Sequence, residues 1–337
     1  MIVQGSDPQA LARAAQALAN GELVGMPTET VYGLAADADN PMAVAAVYAM
    51  KGRPADHPLI VHLAEAAGVD YFAAEVPPFA RPLMAAFWPG PLTLILPRRA
   101  GVGEAAAGGQ TSIGLRCPAH PVAHALLRAC LQLPAPVRGI AAPSANLFGR
   151  VSPTTAAHVQ SELGDALLVL DGGPCAVGIE STIIDCTRGQ PVLLRPGAIT
   201  PAQAQEVCGL PVLLPHELTA QSAPAPRASG TLASHYAPRA RVRLMSADEL
   251  QAALQTQLPQ NGFRTPAVAI YGRTPLLAPG PGIHLHVMPG NASEAARVLF
   301  ADLRYFDSLG VAEVWVETVP AASEWDGIRD RLKRAAT

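Results

Sequence analysis

Lysine is almost missing from this chain: among 24 basic residues only Lys51 and Lys333 are lysines, and the rest are arginines. A composition so committed to arginine makes each lysine worth explaining. Other absences exclude whole classes. No stretch of about 18 apolar residues escapes charges or Pro/Gly breaks, so no membrane-spanning helix is expected. The N-terminus, MIVQGSDPQA, has no basic stretch leading into an apolar one, so no secretory signal is expected either. Cys117, Cys130, Cys175, Cys186 and Cys208 are odd in number and never spaced C-x-x-C. Small apolar filler in a reducing cytoplasm suits them better than disulfides or zinc. The net charge of -3 gives no overall attraction to polyanions, so any nucleic-acid contact must come from a local patch. The common catalytic templates are missing too. There is no P-loop, no G-x-S-x-G around Ser144 and no H-E-x-x-H. His120 and His124 stand four apart without a carboxylate partner, which argues against a metal site and for capping or surface roles.

What is present suffices for a large core. Half of the 337 residues are apolar, and the length suggests two domains. Proline is frequent, with 33 residues, and Pro8, Pro41 and Pro153 each follow a potential helix cap. DPQALARAAQALAN and PMAVAAVYAMK read as helices. PLIVHL, GPLTLILP, TSIGLRC, ALLVLDGG, STIIDC and PVLLRPG read as strands, with TRGQP as a hairpin turn. Strands outnumber helices without strict alternation, which implies a mixed α/β sheet over residues 1–208 rather than a doubly wound one. Residues 209–238 have the Pro/Ala/Ser/Gly composition of a linker. Beyond them, 239–337 alternate as a smaller Rossmann-like α/β domain with a mostly parallel sheet. In its long helix Ala296, Leu299, Leu303 and Phe306 share one face, as core packing requires.

Short polar strings punctuate the strand ends: PTETVYGL, KGRPADHP, GLRCPAH, APSANLFGRVSPT, GIESTII and LLRPG. Each alone has a bland reading as a turn, a solvated strand end or, for Ser152, a helix cap. Together they gather hydroxyls, imidazoles and the cations Lys51, Arg53, Arg116 and Arg195 beside apolar strands. An anion-rich small substrate needs that combination of charge-assisted hydrogen bonds.

The six strings, with HYAP at 235–238, resemble in order and spacing the long form of the YrdC-type threonylcarbamoyl-adenylate synthases. The resemblance is dense over the first ~200 residues and the linker, and only topological beyond residue 240. It implies a twisted mixed sheet with a concave, basic face. It also implies synthesis of L-threonylcarbamoyl-AMP and pyrophosphate from L-threonine, bicarbonate or CO2, and ATP, for t6A modification of tRNA. The implied partners are downstream threonylcarbamoyl transferase proteins. Carried over by position, Thr30, His62, Arg116 and Ser181 correspond to threonine-binding residues. Lys51, Arg53, His57, Ser112, Ser144, Asn146, Ser152, Arg195, His235 and Tyr236 correspond to the ATP side, with Lys51 and Arg53 catalytic. His57 stands where asparagine is common, and Ser234 where a lysine is frequent. Mg2+ held mainly by the ATP phosphates is implied, without a protein cage.

Two other classes compete. A basic sheet that grips double-stranded RNA or tRNA shares the same cations, and a weak RNA contact stays open beside the enzyme reading. The acidic net charge and the lack of a basic run longer than Arg98-Arg99 weigh against a pure binding module. A carbamoyl transferase of the hydrogenase-maturation kind needs zinc-finger cysteine pairs and an acylphosphatase-like unit, and the sequence has neither.

Overall fold

The computed structural model of the chain describes residues 1–218, 226–231, 235–256, 268–275 and 283–337. It divides into two compact units, Met1–Phe148 with Ser152–Thr231, and Gly149–Val151 with Leu232–Thr337.

Among the described residues the first unit has ten strands: β1 Ile2–Gln4, β2 Val24–Met26, β3 Gly33–Asp37, β4 Ile60–His62, β5 Leu92–Pro97, β6 Ser112–Arg116, β7 Ile140–Ala141, β8 Leu168–Asp171, β9 Thr182–Asp185 and β10 Val192–Arg195. Its helices are α1 Pro8–Ala19, α2 Pro41–Lys51, α3 Val69–Phe72, α4 Ala80–Phe87, α5 Pro121–Leu131, α6 Ala156–Leu163 and α7 Pro201–Cys208. The strands form one sheet in the order β1-β8-β2-β3-β7-β4-β6-β5-β9-β10. Pairing is mixed: β4 runs parallel to β6 and β5 parallel to β9, while β2–β3, β5–β6 and β9–β10 are antiparallel.

Alternation along the strands explains why both faces are covered. In β8, Leu168 and Leu170 join the cluster of Ala14, Leu18 and Leu126 from α1 and α5. Val169, between them, joins Val47 and Leu83 from α2 and α4. Successive side chains of a strand face opposite ways, so a sheet buried on both sides reads as a continuous apolar run.

Capping follows the sequence in most places. Asp7 accepts from the Gln9 N–H at 3.0 Å and Asn40 from Met42 at 3.0 Å, with Pro8 and Pro41 at the first helical positions. His120 caps α5 through the Val122 N–H at 3.2 Å, as its place near a helix start suggested. The helix expected directly after Ser152 begins later. Thr155 is the cap of α6, and Pro153 lies outside it. Ser152 is therefore no helix cap.

The second unit contains β11 Arg241–Met245, α8 Ala247–Thr256, β12 Val268–Gly272, β13 Ile283–Val287, α9 Ala292–Ser308, β14 Glu313–Glu317 and α10 Asp326–Ala335. Its four strands are all parallel, in the order β11-β14-β12-β13. Ala296, Leu299, Leu303 and Phe306 are all buried, so α9 is the scaffold helix that its periodicity predicts.

Candidate active site

Strand ends of the first unit carry the polar strings. His62 closes β4 and Arg116 closes β6, and the two residues are directly paired in register. Thr30 lies in the loop from β2 to β3. There Thr28 Oγ1 accepts from the Thr30 and Val31 N–H groups at 3.2 and 3.1 Å and donates to the Val31 carbonyl at 2.6 Å. This local turn fixes Glu29 and Thr30 on a segment too short to be regular. Arg116 donates through Nη1 to Thr30 Oγ1 at 2.8 Å and through Nε to the Gly90 carbonyl at 3.2 Å. Its Nη2 lies 2.6 Å from Glu29 Oε1. Burial alone raises the Glu29 pKa, but the Arg116 charge, with the backbone amides of Glu29 and Ala119, brings it below the ordinary value. The His62 pKa is lowered as well: burial and then the Arg116 charge bring it to about 3, so the ring is neutral.

Ser181 links this pocket to a second group of cations. Its hydroxyl is 2.7 Å from Thr93 Oγ1 and accepts from Arg195 Nη2 at 3.1 Å, while Arg195 Nε reaches the Ser181 carbonyl at 3.0 Å. The turn after β10 presses close: a Cβ on Gly197 would stand 2.5 Å from the Thr182 nitrogen, so only glycine permits the approach that places Arg195.

Lys51 is the last residue of α2, and its ammonium donates to the Ser144 and Asn146 carbonyls, both at 2.5 Å. Burial, with Arg53 nearby, pushes its pKa well down. Gly52 ends the helix with φ of +61°, a left-handed cap that turns the chain toward Arg53. Arg53 Nη2 donates to the Pro58 carbonyl at 2.9 Å and to Ser229 Oγ at 3.3 Å. Arg195 Nη1 donates to the carbonyl of the same Ser229 at 2.9 Å. Lys51 and Arg53 are both buried, 2% and 7% exposed. Loops that fold back over α2 bring carbonyl acceptors to them, and no local pattern announces that.

Ser112 opens β6 and, with Pro58, Thr93 and Ser229, lines a pocket on the sheet. Ser144 is half-buried, and the Asn146 amide donates to the Leu147 carbonyl at 2.7 Å. Ser152 donates to Glu180 Oε1 at 2.5 Å. His57 packs edge-on against Phe148, and burial followed by the Arg53 charge lowers its pKa. His235 and Tyr236 belong to the second unit. There Tyr236 stacks on Phe300 at 5.3 Å beneath the Arg331 guanidinium, and it carries the unusual φ of +62°. Ser234 lies outside the described residues.

Three residues of this site escaped the sequence reading. Glu29 and Glu180 sit inside PTETVYGL and GIESTII, strings singled out for their hydroxyls. Ser229 sits in a linker judged by composition. The available signal was a carboxylate embedded between apolar strands, which must find a cation or a donor when buried.

A mixed sheet whose strand ends gather buried cations and hydroxyls is the kind of scaffold that enzymes acting on polyanions, such as nucleotidyltransferases, use. Residues 16–197 match the family Sua5_yciO_yrdC, described as "Telomere recombination", and residues 199–337 match "Threonylcarbamoyl-AMP synthase, C-terminal domain". The chain is 38% identical to the threonylcarbamoyl-AMP synthase of Bacillus subtilis, covering 98% of this chain and 94% of that one. It is 35% identical to the enzyme of the same name from Pyrococcus abyssi, over 96% and 93% of the two. The crystal structure of Pyrococcus abyssi Sua5 complexed with L-threonine superposes with a TM-score of 0.85 at 33% identity, over 100% of this chain and 97% of that one. The chain belongs to the two-domain threonylcarbamoyl-AMP synthase family, nucleotidyltransferases of tRNA t6A modification.

Proposed function

We propose that the first unit builds L-threonylcarbamoyl-AMP between two subsites that meet at Ser181. Thr30, His62, Arg116 and Ser181 hold L-threonine. Lys51, Arg53, His57, Ser112, Ser144, Asn146, Ser152 and Arg195 serve ATP, joined by His235 and Tyr236. The observation that carries this reading is the double grip on Ser229. Two guanidiniums from distant strings donate to two oxygens of one small residue. Cations so spaced suit the oxygens of one phosphate chain, which would replace Ser229 as their acceptor.

The chemistry asks little of covalent catalysis. The threonine amine adds CO2 to give a carbamate, and a carbamate oxygen displaces pyrophosphate from the α-phosphorus in line. Positioning and neutralisation of the leaving group supply the acceleration. Arg53 and Arg195 neutralise the polyphosphate. Lys51 has two N–H groups committed to the Ser144 and Asn146 carbonyls, so it shapes the loop that carries those residues while contributing its charge. Among the described residues, no three His, Cys, Asp or Glu side chains gather to hold a metal. We infer Mg2+ carried on the ATP phosphates; Glu180, which accepts from Ser152 Oγ at 2.5 Å, is a buried carboxylate of this site. Such an ion supplies further neutralisation of the phosphates.

We place residues 1–208 as the catalytic domain, 209–238 as a lid and 239–337 as a second domain, with the reaction in the cytoplasm. Among the described residues no helix is long and apolar enough to cross a membrane. Contacts of Arg227 with Asp56 and Gly108, and of Ser229 with Arg53 and Arg195, support the lid. A solved Pyrococcus abyssi variant replaces an adjacent His-Tyr pair by alanines, and His235-Tyr236 is such a pair here. The adenylate would then pass to transferase proteins that act on tRNA, with any direct RNA contact weak. The test is pyrophosphate release from ATP, Mg2+ and bicarbonate, with and without threonine. Release must depend on threonine and fall in Arg195→Ala; threonine-independent release overturns the assignment.

A further inference from the structure

Three buried polar groups stand together at the Arg116 end of the sheet without aligned hydrogen-bond partners, although the Glu29 and Ala119 amides stand near the Glu29 carboxylate. They are both carboxylate oxygens of Glu29, Nη2 of Arg116 and Nδ1 of His62. Their residues are 7%, 3% and 3% exposed. Glu29 and Arg116 touch at 2.6 Å, so their charges compensate, but the contact lies off the N–H direction. The other guanidinium nitrogens are satisfied by Thr30 and Gly90. His62 feels both charges. Buried groups left in this state mark either a cost of about 1–3 kcal/mol each or a ligand that completes them.

The deficits have a definite complement. Glu29 offers two anionic acceptors, Arg116 one cationic donor, and His62 one ring nitrogen. A ligand that satisfies all three carries an ammonium, a carboxylate and a hydroxyl. Resting on the reading of this pocket as the threonine site, we propose that Glu29 receives the α-ammonium group of threonine while Arg116 takes its α-carboxylate. The internal ion pair thereby opens to admit a zwitterion, and the site recognises free α-amino acids as a class. Net charge inside the pocket is zero before and after, which keeps desolvation affordable for both partners. A ligand with the carboxylate alone leaves Glu29 facing it uncompensated. Arg116 by itself would select any small carboxylate; Glu29 converts that into selection for an amino acid. It also holds the nitrogen that must become nucleophilic at a fixed place.

The bland rival is that Glu29 only neutralises Arg116. Binding of L-threonine and of 2,3-dihydroxybutanoate, in which a hydroxyl replaces the amine, separates the two. Titration calorimetry on the full chain without ATP reads affinity directly. The wild type should prefer threonine by roughly 100-fold or more, the penalty for leaving a buried polar site unpaired. Glu29→Gln should weaken threonine by a similar factor while leaving the hydroxy acid within a few-fold, so the ratio collapses. Glu29→Asp, which keeps the charge, should retain the preference. An unchanged ratio in Glu29→Gln, or equal losses for both ligands, overturns the proposal and leaves the threonine pocket standing. If Glu29→Gln does not fold, a wild type or Glu29→Asp protein that binds both ligands equally overturns it too. A wild type that binds neither ligand removes the threonine reading itself, and this one with it.

Discussion

Lys51 shows how much a single residue can be asked to do. The residue is 2% exposed and its ammonium is bonded to two backbone carbonyls. Lys51→Met keeps the length and apolar stem but leaves the Ser144 and Asn146 carbonyls without that donor. The expected loss is about 1–3 kcal/mol of stability, read from denaturant melts, together with a fall in turnover. Arg53→Ala should cut turnover by more than its effect on stability explains. A charged donor lost from a closed site costs ~3 kcal/mol in the transition state. His62 sets a pH dependence. Its folded pKa of about 3 lies below the ordinary value, so the fold prefers the neutral ring. That contribution is complete above about pH 6.5 and is lost as pH falls from there toward 3. His62→Gln removes it, so the stability gap between wild type and variant should narrow on acidification. A gap that stays constant from pH 7 to 4 would contradict the depressed value.

At the scale of elements, legibility follows the range of the forces involved. Helices α1, α2 and α5 announce themselves because Asp7, Asn40 and His120 act within two residues of the amides they cap. Strands β5 and β6 are equally plain from their apolar runs. The cradle is legible only in part. Its strings are visible, but Lys51, Arg53 and Ser152 reach partners 93, 176 and 28 residues away along the chain. No periodicity encodes such contacts. The segment 226–231 is the clearest case, since composition marks it as linker while its residues bond into the first unit. Arg227 pairs with Asp56 at 2.7 Å and donates to the Gly108 carbonyl at 3.0 Å; its backbone N–H donates to Gln110 Oε1 and its carbonyl accepts from Gln110 Nε2. The ion pair is exposed and worth little to global stability. Arg227→Ala should therefore leave the melting temperature within about a degree or two while speeding proteolytic cleavage within 226–231. Unaltered cleavage would mean that Ser229 alone keeps the segment in place.

For the whole molecule, the division into units predicts where a cut is tolerated. A fragment of residues 1–231 keeps every contact of Ser229 and Arg227, while one of 1–208 loses them. Both should fold, because the two clusters that cover the sheet lie almost wholly before residue 208. Both should bind threonine with similar affinity, and only the longer should approach wild-type coupling of ATP consumption to adenylate yield. Equal coupling in the two fragments would reduce the segment to a tether.

The near-absence of lysine has a chemical corollary. With Lys51 sealed inside and Lys333 exposed on α10, the folded protein offers amine-directed reagents one side-chain target besides the terminal Met1 nitrogen. Acylation under native conditions should modify Lys333 freely and spare Lys51. Accumulated label at residue 51 would then count molecules in which the loop over α2 has opened, so the scarce residue doubles as a reporter of that event.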